Sequence, residues 1–261
     1  MIKLGMISNY QAGDLISLKQ RGLDYAEFCI NADENDFFSV LETIEKILKQ
    51  EKLHVFSIGR WGIHKIDQYG IIKNELNINL KLIDACTKLG SPIFVTGCNY
   101  VESISYERNM EYALSYLKEL SQYAKPKGVK IAVQNCRWNN FLVGPDTWDV
   151  ILDQIPGIGI KYDPSHAIYD QKNYLKEIND YGQYIFHIHL KGSLFVDGMR
   201  VDDPPAGLDI TNWKAIISIL YFKGYQGGLS IEPHSKTWKG SLGEEGIRYT
   251  IDYFRPLIFK V

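Results

Sequence analysis

Cysteine is scarce in this sequence, and its few cysteines show no pairing pattern. The 261 residues contain four, Cys29, Cys86, Cys98 and Cys136, and no two of them form a CxxC pair. Scattered cysteines of this kind are typical of reduced thiols and argue against a disulfide frame or a zinc knuckle. We therefore expect a cytoplasmic protein.

Dense basic runs and long apolar runs are also missing. The net charge is −2, and the lysines and arginines form no stripe that could follow a phosphate backbone, which argues against nucleic acid as a partner. No apolar stretch approaches the roughly 20 residues of a membrane helix. The opening run MIKLGMIS has the pattern of a strand, so we expect neither a signal peptide nor membrane association. A homo-oligomer remains open.

What the chain does contain is a regular alternation of strand-like and helix-like segments. Eight short apolar runs are each followed by residues at helical spacing. The predicted strands are 3–8, 25–30, 54–59, 91–97, 130–135, the stretch 160–166 with its strand ending at Asp163, 184–191 and 227–233. Eight such units, without a break in composition, predict an α/β fold, a single (β/α)₈ TIM barrel over residues 1–261. An open doubly wound sheet is the alternative, but no GxGxxG follows the first strand.

Residues suited to chemistry collect at the ends of the last four predicted strands. Barrel enzymes place their reacting groups at the C-terminal ends of the strands, so these side chains should converge. In the sixth unit, Pro164 ends the strand and Ser165 is expected to cap the following helix. The converging set is Gln134 and Asn135, then Asp163 and His166, then His187, His189 and Lys191, and finally Glu232 and His234.

Part of this set suits a divalent metal ion. Asp163, His189 and Glu232 would supply two carboxylates and one imidazole, and the amide oxygen of Gln134 is a possible fourth ligand. Such an oxygen-rich set favours Mn²⁺, Mg²⁺ or Co²⁺, with Zn²⁺ possible, and the ion would polarise a substrate carbonyl. The alternative is that each group is only a satisfied polar residue of the barrel.

Three of these motifs together resemble those of a known family. The Asp-Pro-x-His sequence at 163–166, HxHxK at 187–191 and Ile-Glu-Pro at 231–233 look like the xylose isomerase-like TIM barrels. These include sugar phosphate isomerases, ketose 3-epimerases, inosose dehydratase and, more remotely, endonuclease IV. The resemblance implies one metal held by Glu, Asp, His and Glu from strands five to eight. Asp163, His189 and Glu232 match three of these ligands, and His166 matches a substrate-contacting histidine.

The sequence departs from that family at four positions. Gln134 stands where the fifth-strand glutamate is expected, and Asn140 stands where epimerases carry another acidic residue. Gly192 breaks the pattern after HxHxK, and Phe195 replaces an arginine that is frequent in epimerases. Because glutamine cannot act as a base near neutral pH, Glu232 is the one carboxylate base of the expected kind.

We therefore predict a divalent-metal-dependent sugar or keto-sugar enzyme of the isomerase/epimerase type, which abstracts a proton next to a metal-bound carbonyl. The alternative is a keto-polyol dehydratase of the inosose dehydratase kind, in which His166, His187 or Lys191 supplies the acid. An endonuclease IV-like repair enzyme and a non-catalytic sugar-binding barrel are the weaker readings.

The substrate is expected to be a small sugar or keto-sugar. The residues predicted to bind it are His166, Asn135, Trp61, Trp138 and His234. The two indoles lie in loops after strands, where they could stack on a sugar ring; Trp238, Tyr100 and Arg200 are further candidates. No glycine-rich anion cradle is present, which favours an unphosphorylated substrate.

Overall fold

Eight parallel strands close into a barrel in this computed structural model, which describes residues 1–32 and 34–259. Each strand pairs with its neighbours in chain order, and the first strand closes the ring by pairing with the eighth, with Gly5 opposite Ser230. The prediction of a single (β/α)₈ barrel is confirmed.

The strands and helices alternate as the sequence predicts, with boundaries shifted by a few residues. The barrel strands are Lys3–Ile7, Tyr25–Cys29, His54–Arg60, Ile93–Thr96, Lys130–Gln134, Gly159–Tyr162, Ile185–Leu190 and Gly228–Ile231. The α-helices are Ala12–Gln20, Glu34–Ser39, Leu41–Glu51, Lys73–Leu89, Tyr106–Ala124, Pro145–Gln154, Pro164–Tyr169, Tyr174–Tyr181, Trp213–Phe222 and Gly240–Phe254. Short 3₁₀ turns cover Lys125–Lys127, Gly182–Tyr184 and Arg255–Leu257.

Two loops at the C-terminal ends of strands contain hairpins that the sequence analysis did not predict. Ile66–Asp67 pairs with Gly70–Ile71, and Leu194–Val196 pairs with Met199–Asp202. The second hairpin turns at Asp197 and Gly198, which have φ of 50° and 76°. An Asp-Gly pair is a frequent signal for such a turn, because both central residues need positive φ.

The interior of the barrel is unusually polar. TIM barrels commonly fill this space with Val, Ile and Leu, whereas here the apolar core lies mainly between the strands and the surrounding helices. The strand register pairs Glu27 with Ser57, His189 with Ser230, and Lys161 with both Gln134 and His187. A layer of buried polar side chains therefore lies just below the C-terminal ends of the strands.

No helix in residues 1–32 and 34–259 is long and apolar enough to cross a membrane.

Candidate functional site

Asp163 is fixed at the end of the sixth strand by its neighbours. Its side chain, not that of Ser165, caps the helix Pro164–Tyr169 by accepting a hydrogen bond from the Ser165 amide at 2.9 Å. The predicted capping role of Ser165 is therefore wrong, because the helix already begins at Pro164 with Asp163 as its N-cap and Ser165 lies within its first turn. Pro164 occupies the first turn, where its missing N–H costs nothing.

Asn135 holds the backbone of Asp163 in place. Its Nδ2 donates to the Asp163 carbonyl at 2.9 Å, and its Oδ1 accepts from the Asp163 amide at 2.8 Å. Asn135 is buried and does not line the cavity above it. The structure therefore does not support its predicted contact with substrate, since both ends of the amide are used to join the fifth and sixth strand ends.

Lys191 lies between the two acidic residues of the site. Its Nζ is 3.1 Å from Asp163 Oδ2 and 3.4 Å from Glu232 Oε2. Burial alone would lower the pKa of Lys191, but the two carboxylates outweigh it and raise that pKa. Burial would likewise raise the pKa of Asp163 and of Glu232, yet the Lys191 ammonium holds both pKa values below the usual range. All three groups are therefore charged at neutral pH.

Glu27, in the middle of the second strand, orients two histidines from the seventh strand. Its Oε2 lies 2.8 Å from His187 Nε2 and 2.9 Å from His189 Nε2. Burial would raise the pKa of Glu27, but the two imidazoles hold that pKa well below its usual value. With Nε2 of His189 directed at Glu27, its Nδ1 lies 3.1 Å from Glu232 Oε2. Burial opposes the charge on His189, yet Glu27 and Glu232 raise its pKa to about 8.

The donor set fits a divalent cation. Asp163, His189 and Glu232 each offer one ligand atom, and these atoms lie within 4.8 Å of one another. Both amide atoms of Gln134 are buried without a hydrogen-bond partner among the described residues, so its oxygen is free to complete the set. A histidine whose other ring nitrogen meets a carboxylate, as His189 meets Glu27, is the usual arrangement behind a metal.

A cavity of about 350 Å³ lies above these groups at the C-terminal ends of the strands. Its walls include nine of the candidate residues named from the sequence, namely Trp61, Gln134, Trp138, Asp163, His166, Lys191, Arg200, Glu232 and His234. His189 is fully buried beneath it. The predicted convergence of the last four strand ends therefore places most of the candidate side chains around one space.

His187 does not reach the cavity, as its predicted role as an acid would require. It is completely buried, its Nε2 meets Glu27, and its ring stacks on Phe56 with centroids 5.3 Å apart. Burial lowers the pKa of His187. Because the ring lies below the cavity and does not line it, the structure does not support His187 as the acid that contacts substrate.

His166 lies at the cavity wall as a neutral imidazole. Its Nε2 is 3.5 Å from both Asp163 Oδ2 and Lys191 Nζ. Burial, together with the nearby Lys191 ammonium, overrides the attraction of Asp163 and lowers the pKa of His166 to about 4. A neutral ring can both donate and accept hydrogen bonds, which suits contact with sugar hydroxyls.

The rim of the cavity carries the exposed candidates. Trp138 is 58% exposed and packs beside Gly62, where an added Cβ would lie 2.8 Å from the indole. His234 is half-exposed, and its Nδ1 lies 3.1 Å from the buried carboxylate of Asp203, which also binds Arg200. Both rings are placed to contact a ligand that enters the cavity. Trp238 lies outside this cavity, in the region behind Glu232.

Two departures from the expected family pattern have structural causes. Asn140 accepts from the amides of Cys98 and Leu142 and donates to the carbonyls of Gln134 and Cys136, so it joins the loops after the fourth and fifth strands. At Gly192, a Cβ would lie 2.0 Å from the Pro204 carbonyl oxygen, which leaves no room for a side chain.

Several residues near the site were not predicted from the sequence. Glu27, Lys161, Tyr169 and Asp203 all lie on or just behind the cavity wall. The available signal was a charged residue inside a short apolar strand, as in YAEFC for Glu27 and GIKY for Lys161. A charge at such a position must face the barrel interior, where it needs a partner.

The chain belongs to the family of xylose isomerase-like TIM barrels, whose sequence model matches residues 16–257. The resemblance inferred from the strand-end motifs is thereby confirmed. Among curated proteins, YfiH of Bacillus subtilis, an uncharacterized protein, is 26% identical over 170 residues, which cover 57% of this chain and 53% of YfiH. The match thus spans about half the length of that relative.

Solved structures of similar fold include several sugar epimerases. The E. coli 3-keto-D-glucoside 4-epimerase YcjR superposes with a TM-score of 0.78 at 15% identity, covering 98% of this chain and 100% of YcjR. D-psicose 3-epimerase from Clostridium cellulolyticum H10 superposes with a TM-score of 0.78 at 15% identity, covering 98% of this chain and 99% of the epimerase. A xylose isomerase domain protein of Planctomyces limnophilus superposes with a TM-score of 0.79 at 14% identity, covering 98% of this chain and 96% of that protein. At these identities the likeness establishes the fold.

Proposed function

We propose that this protein is a sugar or keto-sugar isomerase of the isomerase/epimerase type, which moves a proton at the carbon next to a carbonyl and uses a divalent metal ion. The observation that carries the proposal is the position of Glu232. Its side chain is 19% exposed, lines the cavity and is held ionised beside Lys191. The names of the structural neighbours, which are sugar epimerases, support the same class of chemistry.

Glu232 and Lys191 form a pair suited to enolisation. When Glu232 takes a proton from the carbon, its negative charge passes to the substrate oxygen, which becomes an enolate. Lys191 lies 3.4 Å from Glu232, so its ammonium can donate a hydrogen bond to the enolate oxygen. An ammonium fixed next to the developing negative charge stabilises the transition state. The low pKa of Glu232 keeps it ionised, and it becomes a stronger base when substrate draws Lys191 away.

A divalent ion held by Asp163, His189, Glu232 and the Gln134 oxygen would supply Lewis-acid polarisation of the same carbonyl. Within this set, Glu27 keeps Nδ1 of His189 directed toward the other ligands. His166 presents a neutral imidazole at the wall, where it can orient a hydroxyl of the substrate.

Gln134 favours return of the proton to the face from which it came. A glutamine amide cannot accept a proton from carbon near neutral pH, so of positions 134 and 232 only Glu232 carries a carboxylate base. One base that serves both directions suits transfer between adjacent carbons, as in aldose–ketose isomerisation. Epimerisation would need a second base on the opposite face.

The direct test is exchange of substrate hydrogen with solvent. The protein, with its metal content measured, is incubated in D₂O with a panel of ketoses and keto-sugar acids, with and without added Mn²⁺, and followed by ¹H NMR. Loss of the signal at the carbon next to the carbonyl is the expected result for at least one member, and it should be faster with the ion. Absence of exchange across the panel would contradict the proposal.

A further inference from the structure

Lys161 is a second lysine at the cavity, and the chemistry outlined above does not use it. It projects from the sixth strand toward the barrel interior, in register with Gln134 of the fifth strand and His187 of the seventh. Only 3% of the residue is exposed, yet it lines the cavity together with Lys191 and Glu232. Its ammonium therefore lies where a substrate group would meet it.

This ammonium forms no ion pair in the part of the chain that the structure describes, although its charge helps to lower the pKa of Glu232. Asp163 and Glu232 pair with Lys191, and no ion pair within residues 1–32 and 34–259 involves Lys161. Its described contact is the ring of Trp61, with Nζ 4.6 Å from the ring centroid. A cation over an indole face recovers part of the lost hydration, but a buried ammonium without an anion remains costly.

The other cations of the cavity wall are already paired. Arg137 binds Asp170, and Arg200 binds Asp203. At the floor of the cavity, the two negative charges of Asp163 and Glu232 equal in number the two positive charges of Lys191 and Lys161, so these four side chains sum to zero before any ion binds. A divalent ion would make the floor positive, which favours an anionic ligand over a neutral one.

Gln134 beside Lys161 adds a neutral donor. Both of its amide atoms are buried and without a hydrogen-bond partner among the described residues. If its oxygen serves the cation site, its N–H₂ remains free to donate. An ammonium and an amide N–H on adjacent strands offer two donors, which matches the two oxygens of a carboxylate. A phosphate group commonly recruits several backbone N–H donors or a helix N-terminus.

We propose that Lys161 binds a carboxylate of the substrate, so that the site acts on keto-sugar acids in preference to neutral keto-sugars. This inference rests on the proposed function, because it names the substrate class of the same cavity. Lys161 then acts as a specificity-determining residue, with Trp61 holding its ammonium in place until the carboxylate arrives.

The experiment compares ligands that differ in one group. Calorimetric titration of the wild type and of Lys161→Met uses D-fructose, D-fructuronate and D-fructose 6-phosphate, and the pair D-tagatose and D-tagaturonate. The wild type should bind a uronate at least about tenfold more tightly than its neutral ketose, as expected for a charge-assisted hydrogen bond. Lys161→Met should lose that preference and change affinity for the neutral ketose less than about twofold.

Lys130→Met is the matched control, because Lys130 also lies over an aromatic ring, with Nζ 4.7 Å from the Phe186 centroid, but is exposed and lies at the start of the fifth strand. It should keep the preference. Lys161→Gln covers the case in which the methionine variant does not fold. Equal binding of acid and ketose, preference for the phosphate ester, binding of no member, or a preference retained without Lys161 would each overturn the inference.

Two further readouts separate this inference from the proposed function. If neutral ketoses exchange hydrogen with solvent as fast as the acids do, the proposed function stands and the inference fails. If the acids bind through Lys161 but no member exchanges, the inference stands and the proposed function fails. Trapping of a ketose on Lys161 by borohydride would also overturn the inference, since it would show the lysine acting as a nucleophile.

Discussion

Lys191 is the cation that pairs directly with both carboxylates of the cavity floor. Its ammonium contacts Asp163 and Glu232, and all three side chains are largely removed from water. Two carboxylates this close together repel each other unless a cation lies between them. Lys191 therefore stabilises the same arrangement of ligands that a divalent ion would hold.

Lys191→Met should destabilise the protein by about 3–5 kcal/mol, because it leaves two buried carboxylates without their cation. Added Mn²⁺ should restore more stability to this variant than to the wild type. The measurement is urea-induced unfolding, with EDTA or with Mn²⁺. Lys176→Met is the control, since Lys176 forms an exposed pair with Asp180, and exposed ion pairs contribute little to stability. Equal losses for the two variants would contradict this role for Lys191.

The residues that could be anticipated from the sequence are those at strand ends. Asp163 and Glu232 directly follow strands, and His189 is the next-to-last residue of one, so the barrel topology alone brings them together. Glu27 could not be assigned in the same way, because its function depends on the partners it meets across the barrel. His187 was predicted to join the converging set, but the sequence did not indicate its depth below the cavity.

At the scale of elements, the loops after the fourth and fifth strands are held together by a side chain. The buried amide of Asn140 makes four hydrogen bonds to backbone groups of both loops, two as donor and two as acceptor. Gln134 and Cys136 lie in the segment that it holds. An asparagine here is a structural requirement of this chain, since an acidic residue could not donate to two carbonyls.

Asn140→Asp should cost about 2–4 kcal/mol of unfolding free energy, because its carboxylate would face the carbonyl oxygens of Gln134 and Cys136 without protons to offer. The neighbouring Asn139→Asp is the control. Asn139 has a φ of 49° and donates one bond to the Gly62 carbonyl, and aspartate tolerates that backbone region. Urea unfolding of both variants checks the difference, and a loss as small as that of the control would show that the four bonds are not needed.

The elements themselves were largely predictable, and the loops were less so. Regular alternation of apolar runs and helical spacing was enough to predict eight strands and closure. The loop after the seventh strand appears polar and proline-containing in sequence, and only the Asp197-Gly198 pair indicates its hairpin. Short loop strands carry little apolar pattern of their own, because the barrel and not their side chains fixes where they lie.

At the scale of the whole molecule, the polar interior links stability to pH. His166 has a folded-state pKa of about 4, below the roughly 6.5 of an unfolded histidine. The unfolded chain therefore binds a proton that the folded protein excludes, and stability falls as pH drops from about 6.5 toward 4. His189 changes stability with pH in the opposite direction. Its pKa is raised to about 8, so its contribution to stability is lost as pH rises through that value.

His166→Gln should flatten the loss of stability between about pH 6.5 and pH 4 by on the order of 2–3 kcal/mol. The check is unfolding by urea in EDTA at a series of pH values, with His54→Gln as control because His54 is exposed at the start of the third strand. A wild-type slope in the His166 variant would mean that this histidine does not stay neutral in the folded protein.

The most direct measurement of the proposed chemistry is the rate at which Glu232→Gln exchanges substrate hydrogen with D₂O. The carboxamide keeps the size of the side chain and removes the base, so exchange should fall roughly 10²–10⁴-fold while ligand binding stays measurable. Glu177→Gln, which changes a carboxylate that binds Tyr162 at 2.7 Å and does not line the cavity, should exchange at the wild-type rate. Near-normal exchange by Glu232→Gln on a substrate that the wild type turns over would contradict the assignment of Glu232 as the base.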